Sequence, residues 1–455
     1  MKIHHFGLIP ALLLLGSLAF AQEAAAEAGE SVPPGLTRLS PDQAVEMAIK
    51  NNLGLRRTTV ENEAKRRSAS TPWNVLIPTI DVSTTLAHPH KPAASIPGLD
   101  IPRWNLGAQF QASVSVNIGT FVKMKQTIDE YHAGRIGVEK AKLALERDVR
   151  KACFDLLLAR GRIALLRESY ANAERRAASA QANYRAGLIP EVSMLQAQVA
   201  RDNMRPTLDE AENGYKALMA RFALYLGLPY NSQFELEEQA GAEFIPLDTE
   251  ELIAKAAANK PDIEELRRSL AALKARRTST FFSIYTPSLQ LAYTRAPLFN
   301  GDPLKDPVLD FDRWKESTGA FSITLLWRLN GLLPFTAEYQ GYRELDDMVK
   351  ALNLGLAQAV QGAETETYNI ILTLEKTRAS VEAQKNTVAL AERTLLLSEV
   401  AYRNGLKEFL DVQNDQLALN QARLESLNQN YNYLKDLLDL EYAIGVPFGS
   451  LGGRN

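Results

Sequence analysis

The chain has 455 residues, room for two or three ordinary domains or one extended one. Its 51 Lys and Arg nearly balance 54 Asp and Glu, giving a net charge of −3, so no basic excess is present to bind nucleic acid. The single cysteine, Cys153, can neither close an intramolecular disulfide nor build a thiolate metal site, and its apolar place in a helical stretch makes it a core residue.

Residues 1–21 read as a cleaved signal peptide. Lys2, His4 and His5 give a weakly positive start, Leu8 to Phe20 is a short apolar run, and Ala19-Phe20-Ala21 has the form that signal peptidase cuts. The run is shorter than the ~20 apolar residues of a spanning helix. No Cys follows the cut to take a lipid. Residues 22–38, rich in Ala, Glu, Pro and Gly, read as a flexible lead.

A first repeat then occupies 39–229. Ser40 can cap a helix with Pro41 at its first position, and the helical pattern continues to about Ser70. The period then changes. Ile80, Val82, Thr84 and Leu86 alternate with Asp81, Ser83 and Thr85, predicting a strand over about 79–87. After a Pro-rich loop, Leu106 to Ile118 alternates likewise, predicting a strand over about 106–120 with one apolar and one small polar face. A soluble sandwich gives the same alternation but needs a second sheet as cover. An outer-membrane strand needs only lipid.

From Phe121 to Ala186 the pattern is helical, roughly 100 Å at 1.5 Å per residue. Gly187 turns the chain at a tip over 184–191, and a second helix runs from about Pro190 to Leu226, with Pro206 expected to kink it. Residues 230–248 read as an irregular crossing segment. The second repeat, 249–447, follows the same order: a helix broken near Pro261, strands over about 288–296 and 319–329, then a helical hairpin with its tip at 402–409. Residues 448–455 form a tail. All four tryptophans (Trp73, Trp104, Trp314, Trp327) fall in or beside the strands, as in membrane barrels with aromatics at both interfaces.

The duplication is explicit. Tyr402-Arg403-Asn404-Gly405-Leu406 follows Tyr184-Arg185-Ala186-Gly187-Leu188 by 218 positions, and Gly445-Val446-Pro447 follows Gly227-Leu228-Pro229 by the same 218. Four strands per chain cannot close a barrel in lipid, because edge N–H and C=O groups would stay unpaired. Helices this long cannot be buried by one such chain. Together these demand an obligate oligomeric tube.

Tyr402-Arg403-Asn404-Gly405, Asp411-Val412, Gln416, Tyr431-Asn432-Tyr433-Leu434 and Ile444-Gly445, with the first-half copy and the order of elements, resemble the TolC family of outer-membrane efflux proteins. The resemblance implies a mainly α fold with a small β part: a homotrimer whose 12-strand β-barrel in outer-membrane lipid continues into a periplasmic α-helical barrel. It implies a passive export duct of a tripartite efflux or type I secretion system. The duct would dock by its hairpin tips (Tyr184, Arg185, Gly187, Leu188, Arg403, Gly405, Leu406) to a periplasmic adaptor and an inner-membrane transporter of the RND, ABC or MFS type. By the same resemblance Asp411 lines a periplasmic constriction. Asn414 stands where a second acidic ring often lies, with Asp415 beside it. Tyr402 and Lys407 match residues that latch the closed state onto the first repeat. The facing positions here, Val192 and Ser193, carry no acid, so any latch is expected to be weaker or to use Glu191. An ordinary helix-start carboxylate is the plainer reading of Asp411.

The sequence holds no Ser/His/Asp arrangement, phosphate loop or metal-ligand cluster, and His88-Pro89-His90 lacks a third ligand. Neither enzyme activity nor a cofactor is expected. The rival reading is a periplasmic coiled-coil structural protein whose strands form a small soluble sheet.

Overall fold

The computed structural model describes residues 37–88, 90, 104–237 and 244–451. The signal peptide, nearly all of the lead and the Pro-rich loop after the first long strand lie outside the described residues. The chain enters through a short strand, β1 (Thr37–Leu39), and a helix, α1 (Pro41–Asn51). Ser40 caps α1 reciprocally: its Oγ accepts the Gln43 N–H at 3.2 Å, and its own N–H donates to Gln43 Oε1 at 3.0 Å. Helical periodicity alone runs on to Ser70, but the chain breaks at Asn52. The Asn52 carboxamide accepts the Leu55 N–H at 3.0 Å and donates to the Tyr225 carbonyl at 3.0 Å, so it caps a new helix, α2 (Leu53–Ser70).

Two strands follow, β2 (Thr79–Ala87) and β3 (Asn105–Val116). Asn117 and Thr120 form a capping box that opens the 68-residue helix α3 (Ile118–Arg185). Ile118, which continues the strand alternation, is therefore helical. The hairpin returns as α4 (Glu191–Tyr225), which runs through Pro206. Proline there removes the donor that would bond the Asp202 carbonyl. Within the stretch read as irregular lies β4 (Phe234–Leu236), paired in parallel with β1. The second half repeats the order as α5 (Thr249–Asn259), α6 (Pro261–Tyr285), β5 (Ser288–Phe299), β6 (Trp314–Leu326), α7 (Ala337–Arg403) and α8 (Phe409–Ile444).

The main sheet is antiparallel in the order β2-β3-β5-β6. β3 runs directly into α3 and β5 directly out of α6, while short 3-10 turns join β2 to α2 and β6 to α7; the helices keep the order of the strands, with α2, α3, α6 and α7 side by side near the sheet. Toward the tips the order becomes α4, α3, α8, α7. At the sheet end and again toward the tips the chain is a strip four elements wide, with two open edges.

Register sorts the sheet into two faces. Ile80, Ala112, Tyr293 and Phe321 form one cross-strand row, while Asp81, Gln111, Thr294 and Ala320 form the next on the opposite face. Among the described residues nothing covers the apolar face: Val82 is 73 %, Ile323 65 % and Leu325 71 % exposed. The tryptophans mark two levels. Trp104 lies beside His88 and Trp314 packs on Phe299 at the loop end, while Trp73 and Trp327 flank the helix end. The thirteen residues of β6 span roughly 43 Å along the strand, or about 33 Å at the ~40° tilt of barrel strands, close to the ~30 Å of a bilayer's hydrocarbon.

The core sits at mid-height, where each repeat folds its short helix onto its own hairpin. Val45 and Ala48 of α1 pack with Val149, Cys153 and Phe154 of α3 and with Phe222 of α4. In the second half Leu252 and Ala256 of α5 pack with Ile371 and Leu374 of α7. Helix α8 serves both clusters, giving Leu434 and Leu438 to the first and Tyr433 and Leu437 to the second. Burial pushes the Cys153 thiol up to about 12, an inert core cysteine.

Candidate functional site at the hairpin tips

Both tips are built by one local device. Helix α3 ends where the Leu188 N–H bonds the Asn183 carbonyl and the Gly187 N–H bonds the Tyr184 carbonyl, each at 2.9 Å. Helix α7 ends identically, with Leu406 on Ala401 at 2.8 Å and Gly405 on Tyr402 at 2.9 Å. These are Schellman closures, which need a left-handed residue after the last turn. Gly187 and Gly405 supply it at φ of 70° and 72°. Tyr184, Arg185, Leu188, Arg403 and Leu406 stand exposed around them.

Just above the turns the two repeats part chemically. In the second hairpin Lys407 Nζ donates to Ser398 Oγ at 2.7 Å and lies 3.2 Å from Asp415 Oδ2, while Ser398 Oγ donates to the same carboxylate. The Ser398 hydrogen bond, reinforced by Lys407 and opposed by burial, holds the Asp415 carboxyl below its usual range. At the 218-residue offset these three residues correspond to Ile189, Ala180 and Ala197. In the first hairpin those residues form a small apolar cluster with Ala177. One hairpin mouth is closed by charge, the other by apolar packing.

Lys407 and Asp415 therefore face each other within one hairpin. Asp411 is exposed and accepts the Glu408 N–H at 3.3 Å, the helix-start role of an acidic residue near the dipole's positive end. Asn414 and Glu191 are exposed, and Ser193 is half-buried. Ser193 and Tyr402 share the wall of a cavity of about 560 Å³ between the two hairpins, with Arg175, Asn183, Gln196 and Glu408 among the other lining residues.

Sequence reasoning missed Arg176. Its Nη2 donates to Gln416 Oε1 at 2.8 Å, and its guanidinium lies 3.7 Å from Glu399, joining the first hairpin to the second. Burial lowers the Arg176 pKa from its ordinary value, with Glu399 acting against the shift. The only local signal is a break in the repeat: the matched Ala173-Glu174-Arg175 and Ala391-Glu392-Arg393 are followed by Arg176 in one copy and Thr394 in the other.

A duplicated strip of strands running into long helical hairpins, bare on its apolar sheet face, is the architecture of the TolC-like outer-membrane factors. Residues 44–228 match the family model for outer membrane efflux proteins, which covers most of the first repeat. By fold the chain is similar to the outer membrane channel CmeC of Campylobacter jejuni, with a TM-score of 0.74 at 15 % identity over 89 % of this chain and 85 % of that one. It is similar to CusC, a protein described as forming a transmembrane channel, with a TM-score of 0.73 at 15 % identity over 92 % and 96 %. It is also similar to the outer membrane protein VceC of Vibrio cholerae, at 0.72 and 14 % identity over 90 % and 96 %. A sequence search of curated proteins gave no match. Its first repeat thus matches the outer membrane efflux protein family by sequence, and the chain as a whole has the fold of these outer-membrane channels.

Proposed function

We propose that the chain is one third of an outer-membrane exit duct: three copies close a 12-strand barrel in lipid, and their hairpins wall a periplasmic tunnel. The observation that carries this is the four-strand strip with its uncovered apolar face and two open edges. Four is an even number, so β2 and β6 run antiparallel, and β6 of one copy can extend the ladder at β2 of the next. Lipid is the cover that such a face accepts without a second sheet. A soluble periplasmic protein would have to bury this face, and the described residues offer nothing to do so.

The duct is passive. Its tips, with the turn residues Gly187 and Gly405 and the cavity shared by Ser193, Tyr402 and Glu408, are the docking point for a periplasmic adaptor, and an inner-membrane pump supplies the energy. Asp411 contributes three carboxylates to the narrow periplasmic end, which hold cations and repel anions. Because Lys407 is already engaged by Asp415 and Ser398, it makes at most a weak latch onto the first repeat.

Purified trimer in planar bilayers tests the reading. The expected outcome is ion conduction that is cation-selective and blocked by multivalent cations. Asp411→Asn keeps an acceptor for the Glu408 N–H but removes the charge, so selectivity and block should both fall. Unchanged selectivity and block would take Asp411 out of this role, and a trimer that never conducts would end the duct reading.

A further inference from the structure

The two repeats differ where each hairpin meets the segment that feeds its short helix. In the second repeat Phe244 fills that place. Its ring stands edge-on to Tyr433 at 5.2 Å, and the Arg378 guanidinium lies 5.4 Å from its centre. Ile245 and Leu247 then continue into the cluster that holds Val381 and Leu437. At the 218-residue offset Arg378, Val381, Tyr433 and Leu437 correspond to Arg160, Ile163, Tyr215 and Met219, so the first hairpin carries the same set of walls. There the four residues line a cavity of about 730 Å³, completed by residues 230–234. Tyr433 is 1 % exposed, whereas Tyr215 is only half-buried.

We propose that this cavity is the seat of the chain's own lead, with Leu36 where the second repeat has Phe244, and with Pro33 and Pro34 beside it. Helices α1 and α5 match at an offset of 208: Ser40 and Asp248 cap them, and Asn51 and Asn259 end them. The same offset carries Phe244 to Leu36, since 244 − 208 = 36. The direction of the chain agrees. β1 runs parallel to β4 with Thr37 opposite Phe234, so the residues before Thr37 come from the side of Asn231, Ser232 and Gln233, which are cavity wall. Charge agrees as well. Arg160, Arg167 and Lys216 line the cavity, and Glu212, the single carboxylate among its lining residues, pairs with Arg167 at 2.7 Å. Residues 22–36 carry Glu23, Glu27 and Glu30 and no Lys or Arg. Glu30 precedes Leu36 by at most about 20 Å of extended chain, which keeps it within reach of these cations. Proline suits the apolar floor of Ile163, Ala164 and Met219, because it brings no N–H to be left unpaired there. The docked lead holds the first hairpin at mid-height as Phe244 holds the second, whether or not the chain forms a duct.

The test uses the purified full chain carrying Leu36→Cys with Tyr215→Cys. Mild oxidation should link this pair in most molecules, read by peptide mass spectrometry, while buried Cys153 stays out of the reaction. Leu36→Cys with Asn213→Cys, about 200° away around α4, should stay unlinked. Replacing Glu23, Glu27 and Glu30 together by Lys should lower the yield of the first link severalfold. Leu36→Asp, which places a charge against the apolar floor, should speed amide hydrogen exchange at residues 230–234 severalfold. If Tyr215→Cys fails to fold, Ala164→Cys on α3 is read in the same way. A folded protein in which neither cavity cysteine links to residue 36 overturns the proposal. So does exchange at residues 230–234 that ignores Leu36→Asp, or a small aromatic anion found in the cavity by native mass spectrometry in place of the lead.

Discussion

Asp436 is a half-buried carboxylate in a polar groove that it shares with Gln358, Gln361, Asn369 and Asp439. Burial raises its pKa, although Thr377 Oγ1 donates to it at 3.0 Å. The folded chain therefore holds this proton more tightly than the unfolded chain does, so stability falls as pH rises above the ordinary 3.8. Asp436→Asn should raise the thermal midpoint at neutral pH and lose that advantage at a pH below 3.8. A gain that is equal or larger in acid would contradict the assignment. Residue-scale environments of this kind were barely legible in sequence. The apolar place of Cys153 could be read from periodicity, but the raised Asp436 could not, because its neighbours come from α7.

Among elements, the four glycine closures divide into two kinds. At Gly187 and Gly405 a Cβ would meet nothing within 4 Å, so only the left-handed backbone requires glycine. At Gly227 (φ 69°) a Cβ would also lie 2.4 Å from the Asn51 carbonyl oxygen, and at Gly445 (φ 68°) it would lie 2.9 Å from that of Asn259. Each repeat thus seats the end of its hairpin on the end of its short helix. Gly187→Ala should cost about 1–2 kcal/mol, the penalty for a left-handed L-residue. Gly227→Ala should cost more, because the α1 carbonyl must also move, and thermal unfolding of the two variants will rank them. If Gly187→Ala is the more damaging, the close approach at Asn51 carries no weight. The repeated Gly-x-Pro was plain in the sequence, whereas its contact with Asn51 was not, since the partner lies far away in the chain.

For the whole molecule, the decisive feature is what the strip leaves open. Val192, Leu195 and Val199 on α4 are 63 %, 46 % and 57 % exposed, and Leu390 and Leu397 on α7 are 69 % and 55 % exposed. Near the tips α4 and α7 are the outer helices of the strip, so these stripes lie on opposite edges at similar height. Pairing them between copies buries both, and the same operation joins β6 to β2. The mass of the detergent-solubilised protein should therefore correspond to three chains. A monodisperse single chain, stable without partners, would refute the shared-wall architecture.

Sequence by itself determined the periodic quantities. Alternation of two marked the strands and their faces and helical spacing marked the hairpins, because each depends only on nearby residues, while the 218-residue offset showed the duplication by direct comparison of the two halves. It missed β1 and β4, since three-residue strands carry too few positions to show a period. Tertiary structure alone decided that Lys407 turns to Asp415, that the matching place in the first hairpin is apolar, and that Arg176 reaches Gln416 across 240 positions. Those pairings depend on the register between helices distant in the chain, and many side chains must settle that register together.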